Sequence, residues 1–169
     1  MTRSTLLATL LAPSAMLSLL CTPAASAAAD DPYAALKLYE GKWIATSSEG
    51  KATPVENRCA RAGLFFSCEQ IIAGKTKALV VFMPDGPTAK GQAWLVQTLG
   101  TVGERPGPWR TLTIEGDRWV YRQAAGGGEK ARRTVDQFLG PDHIHFEVQQ
   151  SASGESWTTT SSGDERRAP

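Results

Sequence analysis

An excess of either charge is missing from this chain: 18 Lys and Arg stand against 17 Asp and Glu. Without a basic surplus there is no surface for a phosphate backbone, so nucleic acid is not an expected partner. Histidine is scarce, with 2 in 169 residues. The signature stretches of catalysis are absent as well, with no G-x-S-x-G elbow, P-loop or H-E-x-x-H. Carboxylates are scattered, and none sits in a context that marks a paired acid and base. No catalytic residue, metal ligand or cofactor is therefore assigned. An enzyme is not excluded by this, since catalytic groups can converge from distant positions. Beyond the first thirty residues no apolar run approaches the roughly 20 residues of a membrane-crossing helix.

What is present begins with those thirty residues. "MTRSTLLATLLAPSAMLSLLCTPAASAAAD" opens with Arg3, continues through an apolar run from Leu6 to Leu20, and reaches Ala25-Ser26-Ala27, a small-residue A-x-A site. That layout predicts a secretory signal peptide over residues 1–27 and a single domain over residues 28–169. Export to the periplasm is the expected localisation. Cys21 raises the rival reading of a lipidated cysteine, but the preceding Leu20 is too large for the small-residue pocket of the lipoprotein peptidase, so lipidation is not expected. Removing the leader with Arg3 leaves 17 charges of each sign.

"DDPYAALKLYEG" predicts a short helix, with Asp31 as cap, Pro32 in the first turn and Gly41 as the stop. The pattern then changes. All 16 glycines lie at or beyond Gly41, and Gly50, Gly63, Gly74, Gly86, Gly91, Gly116, Gly140, Gly154 and Gly163 fall at turn-like intervals. Between them run β-rich segments such as "KWIATSS", "LFFSCEQIIA", "TKALVVFMP", "GQAWLVQTLG", "DRWVYRQ" and "HIHFEVQQS". "EGDR" and "LGPDH" have the composition of hairpin turns, and "GTVGERPGP" and "QAAGGGEK" are the longest loops. About 8–10 strands with almost no room for helix predict an all-β fold, a single antiparallel up-and-down barrel, because closure removes exposed edges.

Within that frame "YEGKWIATSSEGK" carries a G-x-W signature, Gly41-Lys42-Trp43, between a short helix and the first strand. Together with the run of hairpins, "DRWVYR" and the closing "SGESWTTTSSGDERR", it resembles a lipocalin-like, calycin-type family of small secreted bacterial proteins. The resemblance implies that Trp43 plugs the closed end of the barrel beneath a stacking arginine, with Arg166 and Arg122 as the candidates. It also implies a small, partly apolar or amphipathic ligand in the lumen. Some such barrels instead act as inhibitors or assembly modules with a filled core.

Alternation along the strands nominates lumen residues. Trp119 and Tyr121 share a face, as do Trp94, Val96 and Thr98. Ala131, Val135 and Leu139 share one with Arg133 and Gln137. If these faces point inward, Trp94, Trp119, Tyr121, Arg133 and Gln137 form an aromatic wall with polar anchors. The competing reading has the aromatics filling a packed core and Arg133 facing water. In "GPDHIHFEVQ", Ile144, Phe146 and Val148 share the apolar face, which sends His143 and His145 outward. Two imidazoles and one carboxylate leave a metal shell incomplete.

"NRCARAGLFFSCEQII" places Cys59 and Cys68 around Gly63-Leu64, a pair suited to a two-residue type II′ turn. Counting outward from that turn puts Cys59 opposite Cys68 in a non-hydrogen-bonded pair, about 4.5 Å apart at Cα. In an exported chain this predicts a disulfide.

Overall fold

The computed structural model describes residues 31–88, 91–101, 103–126 and 128–169. The expected leader, its cleavage site and Cys21 lie outside the described residues.

Ten strands follow one another: β1 (Gly41–Ser47), β2 (Ala52–Ala62), β3 (Phe65–Ile72), β4 (Lys75–Thr88), β5 (Gly91–Leu99), β6 (Arg110–Glu115), β7 (Arg118–Gln123), β8 (Ala131–Gly140), β9 (His143–Ser151) and β10 (Thr158–Arg167). Each pairs antiparallel with its neighbour in sequence, and β10 returns to β1, so the sheet closes into an up-and-down barrel. This is the architecture that the spacing of turn signals predicts. Among the described residues no helix is long and apolar enough to cross a membrane.

The β2–β3 hairpin follows the register counted from its turn, with Ala62 opposite Phe65 and Cys59 opposite Cys68. Gly63 takes φ 61°, and Leu64 is not among the residues with positive φ, as a type II′ turn requires. The disulfide joins Cα atoms 4.1 Å apart. Its presence is consistent with an exported protein. Closing so short a loop contributes no more than about 3 kcal/mol.

The N-terminal helix is shorter and tighter than the capping signals predict. Asp31 does not cap it: its Oδ1 accepts from the Tyr33 backbone N–H in a preceding turn, and a 3₁₀ helix runs over Ala35–Tyr39. The tighter winding has a packing reason. Tyr33, Leu36 and Tyr39 recur every third residue, and a three-residue turn stacks them on one side. Tyr33 and Leu36 are buried in the core and Tyr39 packs against it. The Tyr33 hydroxyl donates to the carbonyl of Leu64, tying this segment to the β2–β3 turn.

Trp43 is fully buried, and its indole N–H donates to the carbonyl of Tyr39. The arginine over its ring is Arg167, with the guanidinium carbon 4.3 Å from the centroid. The expectation of Arg166 or Arg122 is thereby corrected, and strand register gives the reason. Arg167 pairs directly with Trp43 across the β1–β10 seam and shares its inward face, whereas Arg166 sits opposite Ile44 on the outer face. Arg122 pairs with Thr111 and Arg133 on the far side of the barrel. Arg167 also donates to the carbonyls of Leu38, Glu40 and Pro141, at 2.9, 2.8 and 3.1 Å. A Cβ on Gly41 would stand 2.7 Å from that guanidinium, and Gly41 has φ 116°, a value side chains rarely tolerate. The glycine of G-x-W is thus the space into which Arg167 fits.

Gly163 is not a turn. It lies within β10, opposite Phe146 on the inner face, where a Cβ would meet the Thr46 carbonyl oxygen at 2.3 Å and the Phe146 ring at 2.7 Å.

Candidate functional site

Pairing register decides which alternate residues enter the barrel. Trp119 sits opposite Ile114 and Asp136, and Tyr121 opposite Leu112 and Thr134, all on the inner face. Trp94 lies opposite Leu112 and is equally buried. Trp119 packs between Tyr39 and Phe138, at ring-centroid distances of 6.1 and 4.7 Å. It therefore belongs to the packed closed end. Trp94 is likewise buried in the core cluster, and its indole N–H has no partner among the described residues. Of the residues nominated from sequence, Tyr121 is the one that lines the central cavity.

Arg133 and Gln137 face outward, which corrects the expectation that they anchor a ligand. On β8 the inward set is Thr134, Asp136 and Phe138. The Arg133 guanidinium instead donates to Gln149 and lies 4.3 Å over the Trp157 ring. Gln137 reaches the Asp117 carbonyl at 3.5 Å. The misleading signal was apolar: Val135 is buried although it points outward, because it pairs with the equally buried Val120 on a face flanked by Arg118, Arg122 and Arg133. Long arginine stems commonly cover apolar surface in this way.

The cavity, open on one side to solvent, offers about 210 Å³. Val80, Phe82, Phe146 and the ring of Tyr121 give it apolar walls, and Tyr39 closes it toward the helix. Its polar content comes from Gln70, Thr134 and three charged side chains, Arg110 from β6, Asp136 from β8 and Glu165 from β10. Arg110 donates through Nη2 to Thr98 Oγ1 at 2.6 Å, and its guanidinium carbon stands 5.8 Å from the Tyr121 centroid. Its inward position follows from parity with Leu112 and Ile114, both buried.

Asp136 is 4% exposed, and the charged groups acting on it are Glu165 and Arg110. Burial, reinforced by the nearby Glu165 charge and only partly offset by Arg110, pushes its carboxyl up to about 8. Burial also raises Glu165, whose Oε2 is buried without a hydrogen-bond partner. The Tyr39 and Tyr121 hydroxyls are held well above their ordinary value, again chiefly by burial, so both remain neutral donors at physiological pH. One guanidinium therefore shares the lumen with two acids, at least one of which holds a proton near neutrality.

His143 and His145 point outward as alternation predicts, and both approach Asp164 Oδ1, at 2.7 and 3.4 Å. The His143 hydrogen bond is the main cause holding Asp164 below the usual carboxylate range. Among the described residues no group of three or more His, Cys, Asp or Glu side chains could hold a metal ion.

Arg110 could have been found from the alternation in "RTLTIEG", where it shares parity with two apolar residues. Asp136 carries a weaker signal, parity with Phe138 alone. Glu165 carries none, because its inward neighbours are Gly163 and Arg167. No family model, curated protein or solved structure matches this chain.

Proposed function

We propose that the protein is an exported, lipocalin-like barrel that holds a small, partly apolar molecule in its lumen. The observation that carries this reading is the cavity itself, with aromatic and aliphatic walls around two acids, one of which, Glu165, has an oxygen buried without a hydrogen-bond partner. Such an atom costs stability unless water, an ion or a bound molecule completes its hydrogen bonds. The volume limits the ligand. About 210 Å³ is below the roughly 300–1,000 Å³ of drug-sized pockets, which favours a single ring with a short chain over a fatty acid or a tetrapyrrole.

The alternative of an interaction module has exposed Leu64 and Phe65 at the β2–β3 turn and Leu139 in its favour. It gives no account of Asp136 and Glu165. An enzymatic role would draw on Tyr121 beside these acids, but no hydrogen bond is seen to join them among the described residues.

The test is native mass spectrometry on protein recovered gently from its own cell envelope. A small molecule present in stoichiometric amount and released on denaturation is the expected result. Repeated recovery of empty protein from several growth conditions would count against a ligand carrier.

A further inference from the structure

The charge balance inside the barrel points to the chemistry of the ligand. Five titratable side chains face the cavity: Tyr39 from the helix, Arg110 from β6, Tyr121 from β7, Asp136 from β8 and Glu165 from β10. The remaining wall, from β3, β4 and β9, contributes Gln70, Val80, Phe82 and Phe146 and no charge. Arg110 can balance one ionised carboxylate. The second acid has no cation, and in the empty lumen it avoids the cost of an uncompensated charge by keeping its proton.

Resting on the lumen-binding reading above, we propose that the cavity takes a small organic cation, an amine carried on a single ring or short apolar body, whose ammonium group pairs with Asp136 and Glu165. Three features favour this over an anion. An ammonium brings three N–H donors and no acceptor, which suits the unpartnered oxygen of Glu165 and the carboxyl of Asp136 in the same cavity lining. The cavity walls include the aromatic residues Tyr39, Tyr121, Phe82 and Phe146, and aromatic faces attract cations. Arg110, the cation of the cavity lining, already donates to Thr98 and lies near the Tyr121 ring. An anion bound there would also stand among two acids, both of which would have to be protonated.

Proton bookkeeping follows from the pairing. As the ammonium enters, the carboxyl that was neutral gives its proton to solvent, so one positive charge enters and one leaves. Binding should tighten as pH rises toward the range where Asp136 ionises unaided, about 8, by about tenfold per pH unit below it.

Three near-isosteric probes test this on the oxidised protein: benzylamine, benzyl alcohol and benzoate. They would be titrated between pH 6.5 and 7.5, where benzylamine stays protonated. Affinity would come from calorimetry in two buffers of different ionisation enthalpy, and location from NMR shifts of Tyr121, Thr134 and Phe146. Benzylamine should bind most tightly, release close to one proton and gain about tenfold in affinity across that interval. Asp136→Asn should weaken benzylamine at least tenfold and flatten its pH dependence, leaving benzyl alcohol unchanged; Glu165→Gln provides a second variant that should weaken benzylamine while keeping a pH dependence, since Asp136 still titrates. Benzoate binding most tightly, with affinity falling as pH rises, would overturn the cation assignment and leave the lumen reading standing. Equal, pH-independent binding of benzylamine and benzyl alcohol would do the same. Failure of all three to shift the lumen resonances at millimolar concentration would overturn both.

Discussion

Under the proposed cation binding, Asp136 concentrates the conflict between stability and function in one side chain. Its unfolded-state pKa is near the ordinary 3.8, and its folded value is about 8. Below pH 4 both states hold the proton and burial carries no ionisation penalty. Between pH 4 and 8 the unfolded chain releases a proton that the folded chain keeps, so stability falls as pH rises, and above 8 it falls no further. The separation corresponds to a ceiling on the order of 5 kcal/mol. Asparagine has the shape of the protonated acid without its titration. Asp136→Asn should therefore match the parent near pH 4 and exceed it by a few kcal/mol at pH 8, as read from urea midpoints at the two pH values. A variant less stable than the parent at pH 8 would contradict the burial argument. Stabilisation by removing a buried acid is expected where the acid is kept for binding.

At the scale of elements, Arg167 is the connection between the helix, the seam and the β8–β9 turn. It stacks on Trp43 and supplies donors to carbonyls on two different segments. Arg167→Ala should cost about 2–4 kcal/mol, from the lost stack and the carbonyls left without partners. Arg167→Lys should recover little of this, since one ammonium cannot span the three acceptors. Denaturation of both variants beside the parent checks the ordering, and a lysine variant as stable as the parent would show that charge alone suffices. Elements also show where sequence reading succeeds. The β2–β3 register was legible because a glycine-led two-residue turn fixes every pair that follows, down to Cys59 and Cys68. The face of β8 was not. Val135 and Ala131 looked like the inner set, yet the arginines beside them make an outer face that buries apolar side chains almost as well as the core.

For the whole molecule the decisive event is closure. β1 and β10 lie at opposite ends of the barrel sequence, and their pairing brings Thr46 against Asp164 and Ser47 against Gly163. At that seam the Phe146 ring covers Gly163 where a side chain would otherwise stand. Gly163→Ala needs no unusual φ, so its cost is steric alone, and the backbone carbonyl of Thr46 cannot yield as a side chain would. A loss of about 1–3 kcal/mol is expected. Hydrogen exchange should show weakened protection concentrated in β1 and β10 if the seam opens first; uniform loss across all ten strands would mean that closure and folding are one event.

The sequence by itself determined the all-β class, the β2–β3 turn, the disulfide partner and the outward histidines. Each of these is a local matter, set by period-two alternation or by a turn a few residues away. The tertiary structure decided which arginine covers Trp43, which face of β8 is inside, and that Arg110, Asp136 and Glu165 share one cavity. These depend on register between strands far apart in the chain, and a one-residue difference in parity reverses inside and outside. Arg166 and Arg167, or Arg133 and Asp136, are alike in sequence as charged strand residues. Closing the barrel is what separates them.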